Sequence, residues 1–365
     1  MNKIHIGAAA AALLAAAGAQ AQNAVQIYGL IDAGIEHVTN VDAAGHSLTR
    51  MPNLSAGSFP SRIGFRGTED LGDGMKAVFT LENGFGPDSG TLNQGNRLFG
   101  RQAWVGLSGN WGTLTLGRNY SMLFMSFYDV DVIGPAQFGL GSIDLYLPNA
   151  RSDNSVAYRG TFSGTTVGAT YSLGRDTSSA GGPSATNCAG ESASDSRACR
   201  NWSLLLRHDG ASWGALAAYD TYNGGTGAAA AFGPASSAQS DARLHLAGYT
   251  KFGAVKLAGG WLRRKNESAL VTPKSDLAYV GATFTASDAV SVDGQVARLD
   301  FKNSANGTTL FALRANYNFS KRTGAYVLLG HQSNQGNSAV ALTAGGTTTA
   351  GATQNGVLVG LRHAF

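Results

Sequence analysis

The chain has 365 residues, 50 of them Gly, with 43% hydrophobic and 14% charged residues and a formal net charge of +4. A charge so small and diffuse, with no basic run, excludes nucleic-acid binding. A mean hydropathy of −0.06 beside that apolar content fits strands that are apolar on one face and polar on the other.

The N-terminus reads as a secretory signal. Lys3 and His5 form the charged region, Ile6 to Ala17 the apolar stretch, and Ala19-Gln20-Ala21 the small-residue cleavage site. The apolar stretch falls short of the roughly 20 residues of a membrane-spanning helix. Cleavage is expected after Ala21, making 1–21 the signal and 22–365 a single domain. No later stretch is long enough for a spanning helix, so the mature chain is either soluble or crosses a membrane as a closed barrel.

From there apolar and polar residues alternate. Val25, Ile27, Gly29, Ile31 and Ile35 share one face, and Gln26, Tyr28, Asp32 and Glu36 the other. The next strand is read with Phe59, Ile63 and Phe65 outward and Arg62 and Arg66 inward; after the turn DLGDG, Met75, Ala77, Phe79 and Leu81 oppose Lys76, Thr80 and Glu82. Late in the chain Phe311, Leu313, Ala315, Tyr317 and Phe319 oppose Arg314, Asn316 and Asn318. Aromatics expected outward near strand ends are Phe65, Phe79, Trp104, Tyr158, Phe162, Tyr171, Trp202, Trp213, Trp261, Phe284 and Phe319, as two girdles at lipid–water boundaries require. A soluble β-sandwich also alternates, but sixteen strands are too many for one sandwich.

The connections alternate as well. Eight long loops rich in Gly, Ser, Asn and Ala and seven short turns join sixteen strands, the pattern of an up-and-down barrel. The third long connection, Asn119 to Pro148, has no period of two. Its middle, DVDVIGPAQFGLGS (Asp129 to Ser142), mixes carboxylates, glycines and an aromatic and reads as poor material for a hydrophobic core. A structureless loop of that length is expected only where it is functional, here by folding inward to narrow a pore. Cys188 and Cys199 lie close together in a long loop of an exported chain and are expected to be bridged. No Cys or His partners stand beside them for zinc, the seven His are scattered, and no metal or other cofactor is expected. No Ser and His with a carboxylate fall together on adjacent strands, so the chain does not read as an enzyme.

Several segments, taken together, resemble the general diffusion porins of Gram-negative outer membranes, in particular the betaproteobacterial type. They are VQIYGLIDAGI (Val25 to Ile35), SRIGFRGTEDLGDGMKAVFTLENGF (Ser61 to Phe85), RQAWVGLSGNWGTLTLGRNY (Arg101 to Tyr120), NSVAYRG (Asn154 to Gly160), NFSKRTGAYV (Asn318 to Val327) and GLRHAF (Gly360 to Phe365). The resemblance implies an all-β, 16-stranded antiparallel transmembrane barrel, usually a homotrimer, with the third extracellular loop folded into the lumen. It implies a pore constriction of wall arginines, matched by Arg62, Arg101 and Arg151, against acidic groups of the loop, matched by Asp129 and Asp131. GPAQFG (Gly134 to Gly139) matches the loop's tip motif. Ala136 and Gln137 stand between Pro135 and Phe138, where enteric members carry a Glu, so Gln137 is a further constriction candidate without the carboxylate. The terminal Phe365 looks like the signal by which the barrel-assembly machinery recognises its clients.

The function so implied is a water-filled outer-membrane channel for passive diffusion of small hydrophilic solutes and inorganic ions, mildly anion-preferring because the proposed constriction sums to about one positive charge. The alternatives are a substrate-specific porin with the same barrel and an adhesin-like surface barrel whose loops bind a host or matrix.

Overall fold

A computed structural model describes residues 24–53, 55–175, 188–226, 234–269 and 273–365. The proposed signal, residues 1–21, lies outside the described residues. The described chain forms seventeen strands in one antiparallel sheet. In chain order they are β1 (Ala24–Val38), β2 (Leu48–Arg50), β3 (Arg62–Gly72), β4 (Met75–Gly84), β5 (Gln102–Gly109), β6 (Gly112–Tyr120), β7 (Arg151–Phe162), β8 (Thr165–Ser172) and β9 (Asn201–Asp209). There follow β10 (Trp213–Asn223), β11 (Ser240–Phe252), β12 (Val255–Asn266), β13 (Lys274–Thr285), β14 (Val290–Phe301), β15 (Gly307–Asn318), β16 (Thr323–Gln335) and β17 (Thr353–Ala364). The three-residue β2 is a piece of the first long loop laid against Glu36 to Val38; the other sixteen strands are the barrel wall.

The barrel closes where β1 meets β17, from Leu30 opposite Ala364 to Val38 opposite Gly356. Phe365 extends this seam: it exchanges backbone hydrogen bonds with Gly29 at 3.0 and 3.1 Å. Its ring fills the space a Cβ on Gly29 would need. Closure leaves no strand edge open, which a sheet immersed in lipid requires.

Turn chemistry sets the short-turn end. Asp73-Gly74 between β3 and β4, and Ser163-Gly164 between β7 and β8, have positive φ at both residues. That is the type I′ geometry, whose twist matches the flanking strands.

The outer surface is apolar. Ile35, Val105, Leu116, Leu206, Val280 and Val359 are each more than half exposed on alternate wall positions. Trp104 departs from the expected girdle. It stands opposite Thr80 and donates its indole N–H to Gln102 at 3.1 Å on the lumen side. Phe59 is likewise not an outward strand residue: β3 begins at Arg62, and Phe59 belongs to the first loop, inside the barrel.

The third long connection, Ser121 to Ala150 (L3 below), is inside the barrel, as its length suggested, but it is not poor in core material. It contains the short helices α1 (Met122–Ser126) and α2 (Leu140–Ile143) and a 3-10 turn (Leu147–Asn149). Ser121 caps α1, accepting from the Phe124 N–H at 3.2 Å. Leu123, Val130, Ile133, Ala136, Phe138, Leu140 and Leu147 of L3 are fully buried against inward residues of the later strands, among them Leu262, Leu277, Leu310, Ala312, Leu328 and Leu358. Those strands are apolar on both faces: on β15, Phe311 points out and Leu310 and Ala312 point in. Apolar side chains cannot line a wet lumen cheaply; each one covered gains roughly 1.5–3 kcal/mol. The late half of the wall therefore draws L3 onto itself. The early half carries Thr80, Glu82, Thr115 and Asn119 inward, and Glu82, Thr115 and Asn119 line the clefts left beside L3.

Cys188 and Cys199 form a disulfide in the fourth long loop, the pairing expected.

Candidate functional site

Where L3 crosses the lumen, the open side is bounded by β1 and β3 to β7. Glu82 on β4 is the centre of that wall. It accepts hydrogen bonds from the Arg101 Nε at 2.7 Å, the Tyr28 hydroxyl at 2.9 Å and the Tyr120 hydroxyl at 3.1 Å. The Arg62 Nε lies 3.6 Å from the Glu82 oxygen that accepts from Tyr28. The register explains most of the grouping: Tyr28 pairs with Gly64, which pairs with Glu82, Arg62 pairs with Gly84 and Glu82 with Gln102, so β1, β3, β4 and the start of β5 bring Tyr28, Arg62, Glu82 and Arg101 to one level.

The three expected arginines are not equivalent. Arg101 is 4% exposed and its guanidinium serves Glu82 and Tyr120. Arg151 is 2% exposed, its guanidinium over the rings of Tyr120 at 4.8 Å and Phe124 at 5.6 Å. Those rings cover it, so it does not border the cleft, a departure from its expected place at the constriction. Arg62 is the accessible one, its side chain 24% exposed. It donates to the Pro60 carbonyl at 3.3 Å and sits 5.6 Å above the Phe59 ring. Of the other arginines of the early wall, Arg66 donates to Gln26, Arg118, opposite Ala103 on the register of outward Leu116, pairs with Asp153, and Arg159 lines a lower vestibule of about 350 Å³ beside Trp104.

Facing Arg62 and Arg101 across a cleft of about 220 Å³ are Phe124, Tyr128, Pro135 and Pro148 of L3, with Phe59 and Pro60 of the first loop. The expected acidic partners do not face those arginines; Asp129 and Asp131 border the adjoining hollow of L3. Asp129 pairs with Arg207 at 2.7 Å and Lys256 at 3.3 Å, toward the short-turn end. Burial works against its ionisation, but those two cations hold the carboxyl below its ordinary value. Asp131 turns back on its own loop, accepting from the Gly134 N–H at 3.1 Å; burial pushes its carboxyl up to about 6. Gln137 is 1% exposed and lies behind the loop. Its N–H donates to the Ala56 carbonyl at 2.8 Å, and its carbonyl accepts from Ala344 at 3.2 Å. It ties the L3 tip to the first and last long loops and does not border the opening. The physical reason is common to all three: a loop docked by its apolar side chains turns its polar ones wherever the wall offers partners.

The carboxylate at the narrow region is thus Glu82, from the wall. Its inward parity was readable in the sequence, but nothing in its spacing distinguished it from other solvated lumen positions. With Arg62 and Arg101 the lining sums to one positive charge, the expected sum reached through a different acid.

L3 is held by polar contacts as well. The Arg314 guanidinium on β15 donates to the carbonyls of Gly57 at 2.7 Å, Ile133 at 2.8 Å and Val132 at 3.2 Å, and pairs with Asp293 at 2.8 Å. Arg243 pairs with Asp144 at 2.8 Å. Burial would raise the Asp144 carboxyl, but Arg243 and Arg264 outweigh it and hold the group at about 2. The Tyr146 hydroxyl donates to Asp220 at 2.6 Å, and Ser126 and His245 are 2.7 Å apart. Among the described residues no cluster of His, Cys, Asp and Glu has the makeup of a metal site.

A closed sixteen-strand wall, apolar outside, with a loop packed inside it and a charged cleft beside the loop, defines a porin. The chain belongs to the Gram-negative porin family, whose family model matches residues 8–337. It is 30% identical to outer membrane porin protein 32 of Delftia acidovorans over 98% of each chain. It is 40% identical to an outer membrane porin protein of Bordetella pertussis over 45% of this chain, and that match spans 47% of the Bordetella protein, about half its length. The fold superposes on the anion-selective porin from Comamonas acidovorans with a TM-score of 0.73 and 26% identity, covering 94% of this chain and all of that one. The protein's place is accordingly the Gram-negative outer membrane.

Proposed function

We propose that the chain forms a water-filled channel through the outer membrane for passive diffusion of small hydrophilic solutes and ions, with a mild preference for anions. The ion path runs through the cleft between L3 and the early wall. The chain acts as a channel and not as an enzyme, and works as a homotrimer in outer-membrane lipid. Its proposed signal, residues 1–21, is removed on export, and Phe365 serves recognition by the barrel-assembly machinery. The observation that carries the anion preference is the partly exposed guanidinium of Arg62, which among the described residues is the wall cation at the cleft not committed to Glu82 by a short hydrogen bond.

In a wet pore a unit charge acts on a passing ion with about 1 kcal/mol at close approach. The Arg62→Ala variant should therefore lose roughly a fivefold share of the chloride-over-potassium permeability ratio, measured as the reversal potential in a KCl gradient. Screening lengths fall from about 10 Å at 0.1 M to 3 Å at 1 M salt, so the difference should shrink at high salt. A variant with wild-type selectivity at low salt would remove Arg62 from the filter.

A further inference from the structure

The cleft has a feature that a general anion filter does not need. Tyr128, on the lumen side of L3, is 41% exposed. It meets Phe124 edge-on at 5.6 Å, and Phe124 stacks on Tyr120 at 4.1 Å, so an aromatic strip runs from the wall across the loop. Phe59 and Pro60 of the first loop border the same cleft. A second hollow of about 100 Å³, lined by Phe127, Leu140 and Leu147, opens from it and shares Phe59, Phe124, Tyr128, Pro135 and Pro148. One end of the combined cleft is therefore cationic, at Arg62 and Arg101, and the other is apolar. The two carboxylates bordering the apolar end are already engaged, Asp129 by Arg207 and Lys256 and Asp131 by the Gly134 N–H.

We infer that this cleft is a transit site for aromatic monocarboxylates, solutes with a planar apolar ring and one carboxylate at its edge. The inference rests on the proposed anion-preferring channel and names the solute class that its narrow region favours. The carboxylate meets the Arg62 guanidinium, for which a planar two-oxygen anion is the natural partner. The ring lies against Tyr128, Phe124 and Phe59, where offset or edge contacts hold it. A small aliphatic acid would gain the first contact alone, and an aromatic cation only the second.

The test is the conductance of single channels in KCl titrated with sodium benzoate, sodium acetate or benzylammonium chloride. Benzoate should reduce the current at about tenfold lower concentration than either of the others, a factor equal to ~1.4 kcal/mol. The Tyr128→Ser and Phe59→Ser variants should each bring the benzoate-to-acetate ratio toward one. Equal action of benzoate and acetate in a channel that prefers chloride overturns the inference and leaves the proposed function standing. So does a benzoate effect that both variants retain. A wild-type reversal potential favouring potassium would instead overturn the anion preference itself.

Discussion

Replacing Phe138 with alanine should undock the tip of L3 while leaving the barrel closed. The ring is fully buried between two wall glycines that face each other across β16 and β17, Gly330 and Gly356. A Cβ on either would stand 2.9 or 2.6 Å from the ring, so both positions must lack one for the ring to enter. Removing a buried Phe costs on the order of 3–5 kcal/mol, the transfer of the ring plus the cavity left behind. The loss falls on loop docking, because the wall is held by its own strand pairing. Single-channel traces should show frequent current fluctuations between conductance levels, and L3 should become cleavable by protease in intact barrels. Gly356→Ala should give the same phenotype from the opposite side, by filling the socket. Quiet traces and an uncleaved loop in the Phe138→Ala protein would show that the tip is not held by this contact.

Arg314→Ala should have an effect of comparable size by a different route. One buried guanidinium holds the first loop through Gly57, L3 through Val132 and Ile133, and the wall through Asp293. Removing it leaves three carbonyls without that donor. Asp293 keeps only the hydroxyl of Thr283 and the amide of Asn316 among the partners seen here. Breaking a buried ion pair from one side costs about 3–5 kcal/mol, because the remaining charge is stranded. Both loops bordering the cleft loosen together, so conductance should rise and chloride preference fall, and the folded barrel should resist heat in detergent less well. Arg314→Lys keeps the charge but has no planar fork to reach several acceptors, so it should recover the heat resistance in part and the selectivity little. A variant with wild-type conductance and selectivity would show that the clamp does not shape the pore.

The barrel was legible because period two, turn chemistry and the alternation of long and short connections each leave a mark on neighbouring residues. The seam could be placed between the first and last strands from the sequence, since lipid forbids an open edge. The docking of L3 was not legible, although its signal was present. Strands such as Leu277-Ala278-Tyr279-Val280 and Leu310-Phe311-Ala312-Leu313 are apolar at successive positions, which a wall with a wholly wet lumen would not tolerate. A strand apolar on both faces in a barrel needs a cover inside, and L3 is the cover. Phe138 was noticed as part of a tip motif, yet its socket needs two glycines far along the chain that only the register brings together. Parity put Arg62 on the lumen side, whereas Arg101, just ahead of β5 and on the parity of outward Val105, reaches Glu82 from outside the regular strand. Parity could not say that Arg151 would be roofed over by Tyr120 and Phe124, nor that Asp129 would find Arg207 and Lys256. Those pairings depend on how L3 lies, and L3 lies where the apolar half of the wall puts it.

The most direct measurement places a thiol on the pore side of L3. Both native cysteines are bridged, so the Tyr128→Cys variant carries one free thiol at the cleft. A Val359→Cys variant carries one on the lipid-facing side of β17, where Val359 is 54% exposed. Single channels of each are recorded in a KCl gradient while a negatively charged methanethiosulfonate reagent is added. In the Tyr128→Cys channel each modification should lower the current in a discrete step and move the reversal potential toward potassium, and the Val359→Cys channel should not respond. An unchanged current and reversal potential after complete labelling of the Tyr128→Cys protein would contradict passage of ions through the cleft between L3 and the arginine wall.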